Sequence, residues 1–154
     1  MSETSRRRPP QPAIIIDTRE QQPYAFAGFN TIVRGLKTGD YSLDGHTDRV
    51  AVERKSKEDA YGVIGAGRER FEREVQRLSV FVAPAIVIEG DLADFADPPQ
   101  YTRITAAQAV GSFISWGTHY RIPVWFCHGR REAERVTVRI LAAYLKHLSG
   151  DQHE

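Results

Sequence analysis

The 154-residue chain lacks several features that would assign it to large protein classes. It has one cysteine, Cys127, so an intramolecular disulfide and a cysteine-based zinc site are both excluded. No apolar run approaches the roughly 18 residues that a membrane-spanning helix needs. The start, with Arg6, Arg7, Arg8, Pro9 and Pro10, has no apolar stretch before Ala13, which argues against a secretory signal. Net charge is only +1, from 21 basic and 20 acidic residues, so any nucleic-acid binding must be local. The histidines (His46, His119, His128, His147 and His153) show no metal-ligand spacing. No P-loop, nucleophile elbow or dinucleotide-binding glycine pattern occurs. What remains is the expectation of a globular protein of a reducing, intracellular compartment.

Hydrophobic residues make up 41% of the chain, enough to bury a core in one ordinary domain. Residues 1–12 read as a flexible basic tail, 13–148 as the domain, and 149–154 as a second tail. Strands are expected at Ala13 to Asp17, Thr31 to Arg34, Tyr41 to Leu43 and Arg49 to Lys55, arranged as a meander. Ser56 can cap a helix, with Asp59 as a weak capping-box partner. A further helix starts near Arg68, with Phe71, Val75 and Leu78 on one face. Ala85 to Glu89 and Ile122 to Phe126 read as strands. Thr105 can cap a helix with Ala106, Val110, Phe113 and Ile114 inward. A last helix over about Arg131 to Leu148 would turn Val136, Ile140, Ala143, Tyr144 and Leu148 inward. This order predicts an α/β protein, a central mixed sheet with helices on both faces.

Acidic groups fall at or just beyond strand ends: Asp17 with Glu20, then Asp40, then Glu53. Residues i and i+2 of a strand share a side, so Glu53 and Lys55 project together while Arg54 turns away. Hard divalent cations take carboxylate and carbonyl oxygens, so Asp40, Glu53 and a backbone carbonyl form a candidate metal set. Lys55 beside it could hold an attacking water or a phosphate oxygen. That chemistry suits phosphodiester hydrolysis. The same residues could instead be a surface set of ion pairs. Arginine outweighs lysine, which suits bidentate phosphate contacts or simply reflects a GC-rich genome. Trp116, Tyr120, Trp125 and Phe126 cluster late, as core or as a surface for a second copy.

The longer pattern resembles the nuclease core of the ERCC4 family, to which the XPF and Mus81 structure-specific endonucleases belong. Gly39-Asp40, then Glu53-Arg54-Lys55 and Asp59, match its GD…ERKxxxD signature, and Asp17, Arg19 and Glu20 match the motif upstream. The chain looks most like the small stand-alone forms of bacteria and phages. The resemblance implies a restriction-endonuclease-like (PD-(D/E)XK) core. It also implies Mg²⁺- or Mn²⁺-dependent endonucleolytic cleavage of DNA at branches, flaps or forks. It assigns catalysis to Asp17, Glu20, Asp40, Glu53 and Lys55. The metal would sit on Asp40, Glu53 and the Arg54 carbonyl. Arg19, Arg54 and Arg68 are candidate DNA contacts, although Arg54 is equally suited to an internal ion pair. Asp59 is either catalytic or a support for the active-site loop. Relatives carry a glutamine soon after a Gly-Arg pair. Here Gly67-Arg68 is present, but Glu74 fills that place with an offset, which puts a DNA contact by Arg68 or Arg70 in question. The resemblance further implies a homodimer through the C-terminal half and a location in the bacterial nucleoid or a phage-infected cell. Two other functions fit the same fold: a catalytically idle DNA-binding scaffold, and a nuclease for RNA or damaged duplex.

Overall fold

The computed structural model describes residues 11–150. Six strands form one sheet in the order β2-β1-β3-β4-β5-β6. They are β1 (Ile14–Ile16), β2 (Thr31–Val33), β3 (Tyr41–Leu43), β4 (Val50–Ser56), β5 (Ala83–Glu89) and β6 (Val124–Cys127). The helices are α1 (Lys57–Ile64), α2 (Arg68–Leu78), α3 (Leu92–Phe95), α4 (Ala106–Tyr120) and α5 (Gly129–Gly150). The sheet is mixed, as expected: β1 pairs antiparallel with β3, and β3 with β4, whereas β4, β5 and β6 run parallel.

The expected meander is not formed. β2 lies parallel to β1 at the sheet edge, and β3 takes the other side of β1. The connection over residues 17–30 is long enough to cross back. It is anchored by Tyr24 and Phe26, both buried against Tyr41. Two apolar clusters cover the two sheet faces. Val50, Val52, Ala85 and Val87 face Leu141 and Tyr144 of α5. Ala51, Ile86 and Ile88 face Phe71 of α2 and Phe113 and Trp116 of α4.

Local signals account for the helix starts. Ser56 Oγ accepts the Asp59 N–H and caps α1. Thr105 and Gln108 form a reciprocal capping box on α4. The inward faces differ from expectation. On α4 the buried residues are Ala109, Phe113 and Trp116, and Ile114 is 52% exposed. On α5 they are Ala133, Thr137, Leu141 and Tyr144, while Val136, Ile140 and Leu148 are flanks and Ala143 is exposed. Thr137 can be buried because its hydroxyl donates to the Ala133 carbonyl at 2.8 Å. Apolar periodicity alone cannot find such a residue. α5 also runs through 149–150, inside the expected C-terminal tail. Residues 1–10 of the expected N-terminal tail and 151–154 lie outside the described residues. No helix among the described residues is long and apolar enough to cross a membrane.

Candidate active site

The sheet geometry sorts the central motif by parity. Val50 and Val52 face α5, so Arg54 follows them to that side; Ala51 faces α2 and α4, so Glu53 and Lys55 follow it there. Lys55 Nζ lies 3.2 Å from Glu53 Oε1 and 4.9 Å from the centre of the Phe71 ring. The ammonium is thus held between a carboxylate and an aromatic face.

Asp40 reaches the same place from the start of β3. Its backbone N–H donates to the Val52 carbonyl at 2.8 Å, and its Oδ2 accepts the Arg54 N–H at 2.7 Å. Gly39 makes this entry possible. Its φ is +81°, and a Cβ there would lie 3.1 Å from the Ala51 Cβ and 3.3 Å from the Val52 carbonyl oxygen. Within a strand the N–H and C=O of one residue share an edge. The Arg54 carbonyl therefore faces the side of Asp40. Asp40, Glu53, Arg54 and Lys55 line an open polar cleft of about 510 Å³, together with Arg19, Glu20 and Asp59.

The two carboxylates are electrostatically uncomfortable. Burial first, then the charge of Asp40, pushes Glu53 up to about 8. Burial, with Glu20 and Asp17 nearby, pushes Asp40 up to about 6 despite the Arg54 N–H bond. Burial opposes the charge on Lys55, but Glu53 and Glu74 outweigh it and raise its pKa. The donor set is all hard oxygen, and a divalent cation there would relieve the repulsion that holds both protons. It fits Mg²⁺ or Mn²⁺ by chemistry.

The other expected residues stand around this centre. Asp17 is buried, with Oδ1 accepting the Leu36 N–H at 2.8 Å and Oδ2 accepting Arg19 Nε at 2.8 Å. Arg19 remains 71% exposed at the cleft rim. Arg54 does not fit the expected DNA contact. Its side chain is only 9% exposed and bonds Glu89 at 2.8 Å and Glu20 at 3.1 Å. Burial would lower its pKa, but Glu89 and Glu20 reverse that. Asp59 is exposed at the rim, and its N–H closes the α1 cap. Arg68 lies outside the cleft lining, with Nη1 on Ser112 Oγ at 3.0 Å and its guanidinium over Trp116. Trp116 itself is core, and Tyr120 bonds Glu72 and Gln76, so neither offers the surface considered for a second copy.

Two acids carry more than the sequence assigned them. Glu74 of α2, noted there only as standing in a glutamine's place, lines a smaller pocket with Asp17, Asp40 and Glu53. Glu89 gathers Arg54, the Tyr24 hydroxyl at 2.9 Å and Arg130 at 3.7 Å. Arg130 also donates to the carbonyls of Gln22 and Pro23, tying the start of α5 to the cleft wall. Glu89 shares the parity of Val87 on β5, which puts it on the side of Arg54. Elsewhere, Asp91, Asp94 and His128 bring their ligand atoms within 4.8 Å of one another. Those carboxylates already serve the capping box of the short α3 and the ring of His128.

Solved structures share this architecture, two of them XPF proteins. XPF from Aeropyrum pernix matches with a TM-score of 0.69 at 20% identity, covering 92% of this chain and 69% of that one. XPF from the same organism in complex with DNA matches at 0.68 and 20% identity, covering 88% of this chain and 66% of that one. This likeness establishes the restriction-endonuclease-like fold. No curated protein matches the chain in sequence. The ERCC4 domain profile matches residues 16–140, which takes in the whole cleft and its supports from Asp17 to Arg130. The chain therefore belongs to the ERCC4 domain family of nucleases.

Proposed function

We propose that this chain is a divalent-metal-dependent endonuclease acting on DNA, with flaps, forks or other branched structures as its substrate class. One observation carries the reading: Asp40, Glu53 and Lys55 converge on one wall of an open cleft. A domain that only bound DNA would gain nothing from buried carboxylates that repel phosphates. In this reading Asp40, Glu53 and the Arg54 carbonyl hold Mg²⁺ or Mn²⁺. Such a cation makes a water nucleophilic near neutral pH and offsets charge developing on the phosphoryl oxygens.

The chain's own groups do the rest. Lys55, kept charged and immobile by Glu53 and Phe71, donates to the attacking water or to a non-bridging oxygen of the scissile phosphate. Arg19 at the rim contacts a neighbouring phosphate, aimed by Asp17. Glu20 acts at one remove by fixing Arg54, and Arg54 in turn presents its backbone to Asp40. Asp59 supports the rim. Arg68 docks α2 onto α4 rather than reaching DNA. The test is incubation with Mn²⁺ and a panel of flap, fork, Holliday, duplex and single-stranded DNAs. Metal-dependent cutting that favours branched substrates is expected. Binding without cutting on every substrate and metal would contradict the reading.

We also propose a homodimer through the C-terminal half and a cytoplasmic site of action. β6 is an edge strand, with Trp125 47% exposed, and Val82 near the start of β5 is 68% exposed. Beside them a groove of about 510 Å³ runs along Ile140 and Leu148 of α5. A second copy pairing here would cover an open edge. Light scattering at tens of micromolar should show a dimer that Trp125→Glu dissociates. A monomer for the wild-type chain would refute it.

A further inference from the structure

A second concavity adjoins the acidic cleft. It has a volume of about 860 Å³ and lies between the Gly35–Thr38 segment and the C-terminal half of α2. Three cations line it: Lys37 from the segment, and Arg73 and Arg77 from the helix. Asp48 is the one acid in its lining. Lys37 and Arg77 also line the small pocket that contains Asp40, Glu53 and Glu74. That pocket in turn shares Arg19, Asp40 and Glu53 with the main cleft. The three concavities are therefore neighbours across shared walls, in the order from Lys55 past Arg77 and Lys37 to Arg73.

The three cations of this concavity stand apart from acidic side chains. Among the described residues, no ion pair within 4.0 Å involves Lys37, Arg73 or Arg77. Of the acids on α2, Glu74 lies 3.9 Å from Arg70, and neither it nor Glu69 or Glu72 comes within 4.0 Å of Arg73 or Arg77. Arg73 and Arg77 stand at i, i+4 on α2, so their guanidinium groups share one face of the helix. All three side chains are exposed, so they are free to meet a ligand. The floor is apolar, with Leu36 buried and Phe81 partly buried, and Val80, 81% exposed, stands at its rim. A row of unpaired cations over an apolar floor complements a chain of phosphates joined by sugars.

We infer that this groove carries the sugar-phosphate backbone of the DNA on one side of the cut. Lys37, Arg73 and Arg77 take successive phosphates, and Val80 and Phe81 lie against sugar or base. The inference rests on the nuclease reading and adds the direction in which the substrate leaves the site. The net charge of +1 makes such a local track necessary, because the surface as a whole gives phosphates little attraction.

The test uses the full chain and its Lys37→Ala/Arg73→Ala/Arg77→Ala variant. A control carries Arg135→Ala and Arg139→Ala on α5, across the sheet. Binding to a labelled DNA fork is measured as salt is varied, and cleavage is measured with Mn²⁺. Each phosphate contact contributes about 0.7–0.9 to the slope of log affinity against log salt, so the triple variant should lose about two to three. Its KM should rise by far more than kcat falls, and the variant should still bind Mn²⁺ and cut at saturating DNA. The control should keep the wild-type slope. Because the three side chains are exposed, melting should match wild type; single Arg77→Gln, expected to lose about one unit of slope, checks the result independently. If the wild-type chain cuts DNA and the variants keep its slope and KM, the groove assignment alone is overturned. Binding to polyglutamate is measured alongside, and its loss in the triple variant with an unchanged DNA slope would overturn the assignment in favour of an acidic protein partner. If the wild-type chain neither binds nor cuts DNA, the nuclease reading fails first and this one falls with it.

Discussion

Replacing Glu53 by Gln should stabilise the metal-free protein while abolishing its activity. The fold holds the Glu53 proton up to about 8, against an ordinary 4.5, and the Asp40 proton up to about 6, against 3.8. The folded chain therefore binds more protons than the unfolded chain between roughly pH 4 and pH 8, and its stability falls as pH rises through that window. By about pH 7.5, where the unfolded chain has lost this proton and the folded chain still holds most of it, the stability lost relative to low pH has a ceiling of about 4 kcal/mol. The penalty is smaller in practice. The Glu53 side chain keeps 14% of its exposure, and glutamine weakens the contact with Lys55. A net gain of about 1–2 kcal/mol remains, or about 3–6 °C in Tm for a chain of this length. The assay is calorimetric melting from about pH 5 to pH 8.5 in chelator and in Mn²⁺. Wild type should lose stability with rising pH in chelator and recover it in Mn²⁺. Glu53→Gln should show a flatter profile and little response to metal. A wild-type Tm unchanged by pH and metal across this range would refute the reasoning.

Other substitutions test other parts of the site. Lys55→Ala should lower Mn²⁺-dependent cleavage about 10²–10³-fold, measured at single turnover on a branched substrate. It should also lower stability by about 1 kcal/mol, since the ammonium packs on Phe71 and offsets Glu53. Glu89→Ala strips the main partner from the nearly buried Arg54 and should cost about 2–4 kcal/mol in urea unfolding, although Glu20 remains to share the charge. Gly39→Ala forces a side chain into a positive-φ position against Ala51 and Val52, and should cost about 1–3 kcal/mol by the same measurement. A Gly39→Ala chain as stable as wild type would show that the β3 entry is not constrained.

The site was legible in the sequence where strand parity applies. Glu53 and Lys55 point together, and Arg54 away, because a strand alternates sides whatever it is bonded to. Asp40 was legible as an acid at a strand end and through the Gly39-Asp40 signature, whereas the tight backbone that requires Gly39 emerged only in the fold. The partners of Arg54 were not legible. Glu89 is thirty-five positions away in sequence and meets it only because β4 and β5 run parallel in register. The β2 placement was hidden for a similar reason: short strands carry no signal of direction, and the Tyr24 and Phe26 anchors act through tertiary packing. The helix faces shifted because buried Thr137 and Ala109 are small or polar, while Ile114 is large, apolar and exposed. Sequence patterning weights residues by hydrophobicity, whereas close helix-on-sheet packing selects them by size.

The central claim is that two carboxylates, Asp40 and Glu53, serve metal-dependent DNA cleavage. The most direct measurement is cleavage of a labelled DNA fork by wild type and Asp40→Asn over a Mn²⁺ titration, with DNA binding measured in parallel. Wild type should cut in proportion to metal occupancy and stop in chelator, while Asp40→Asn should bind the fork and leave it intact. Cutting that persists in chelator, or that Asp40→Asn performs as well as wild type, would contradict the account.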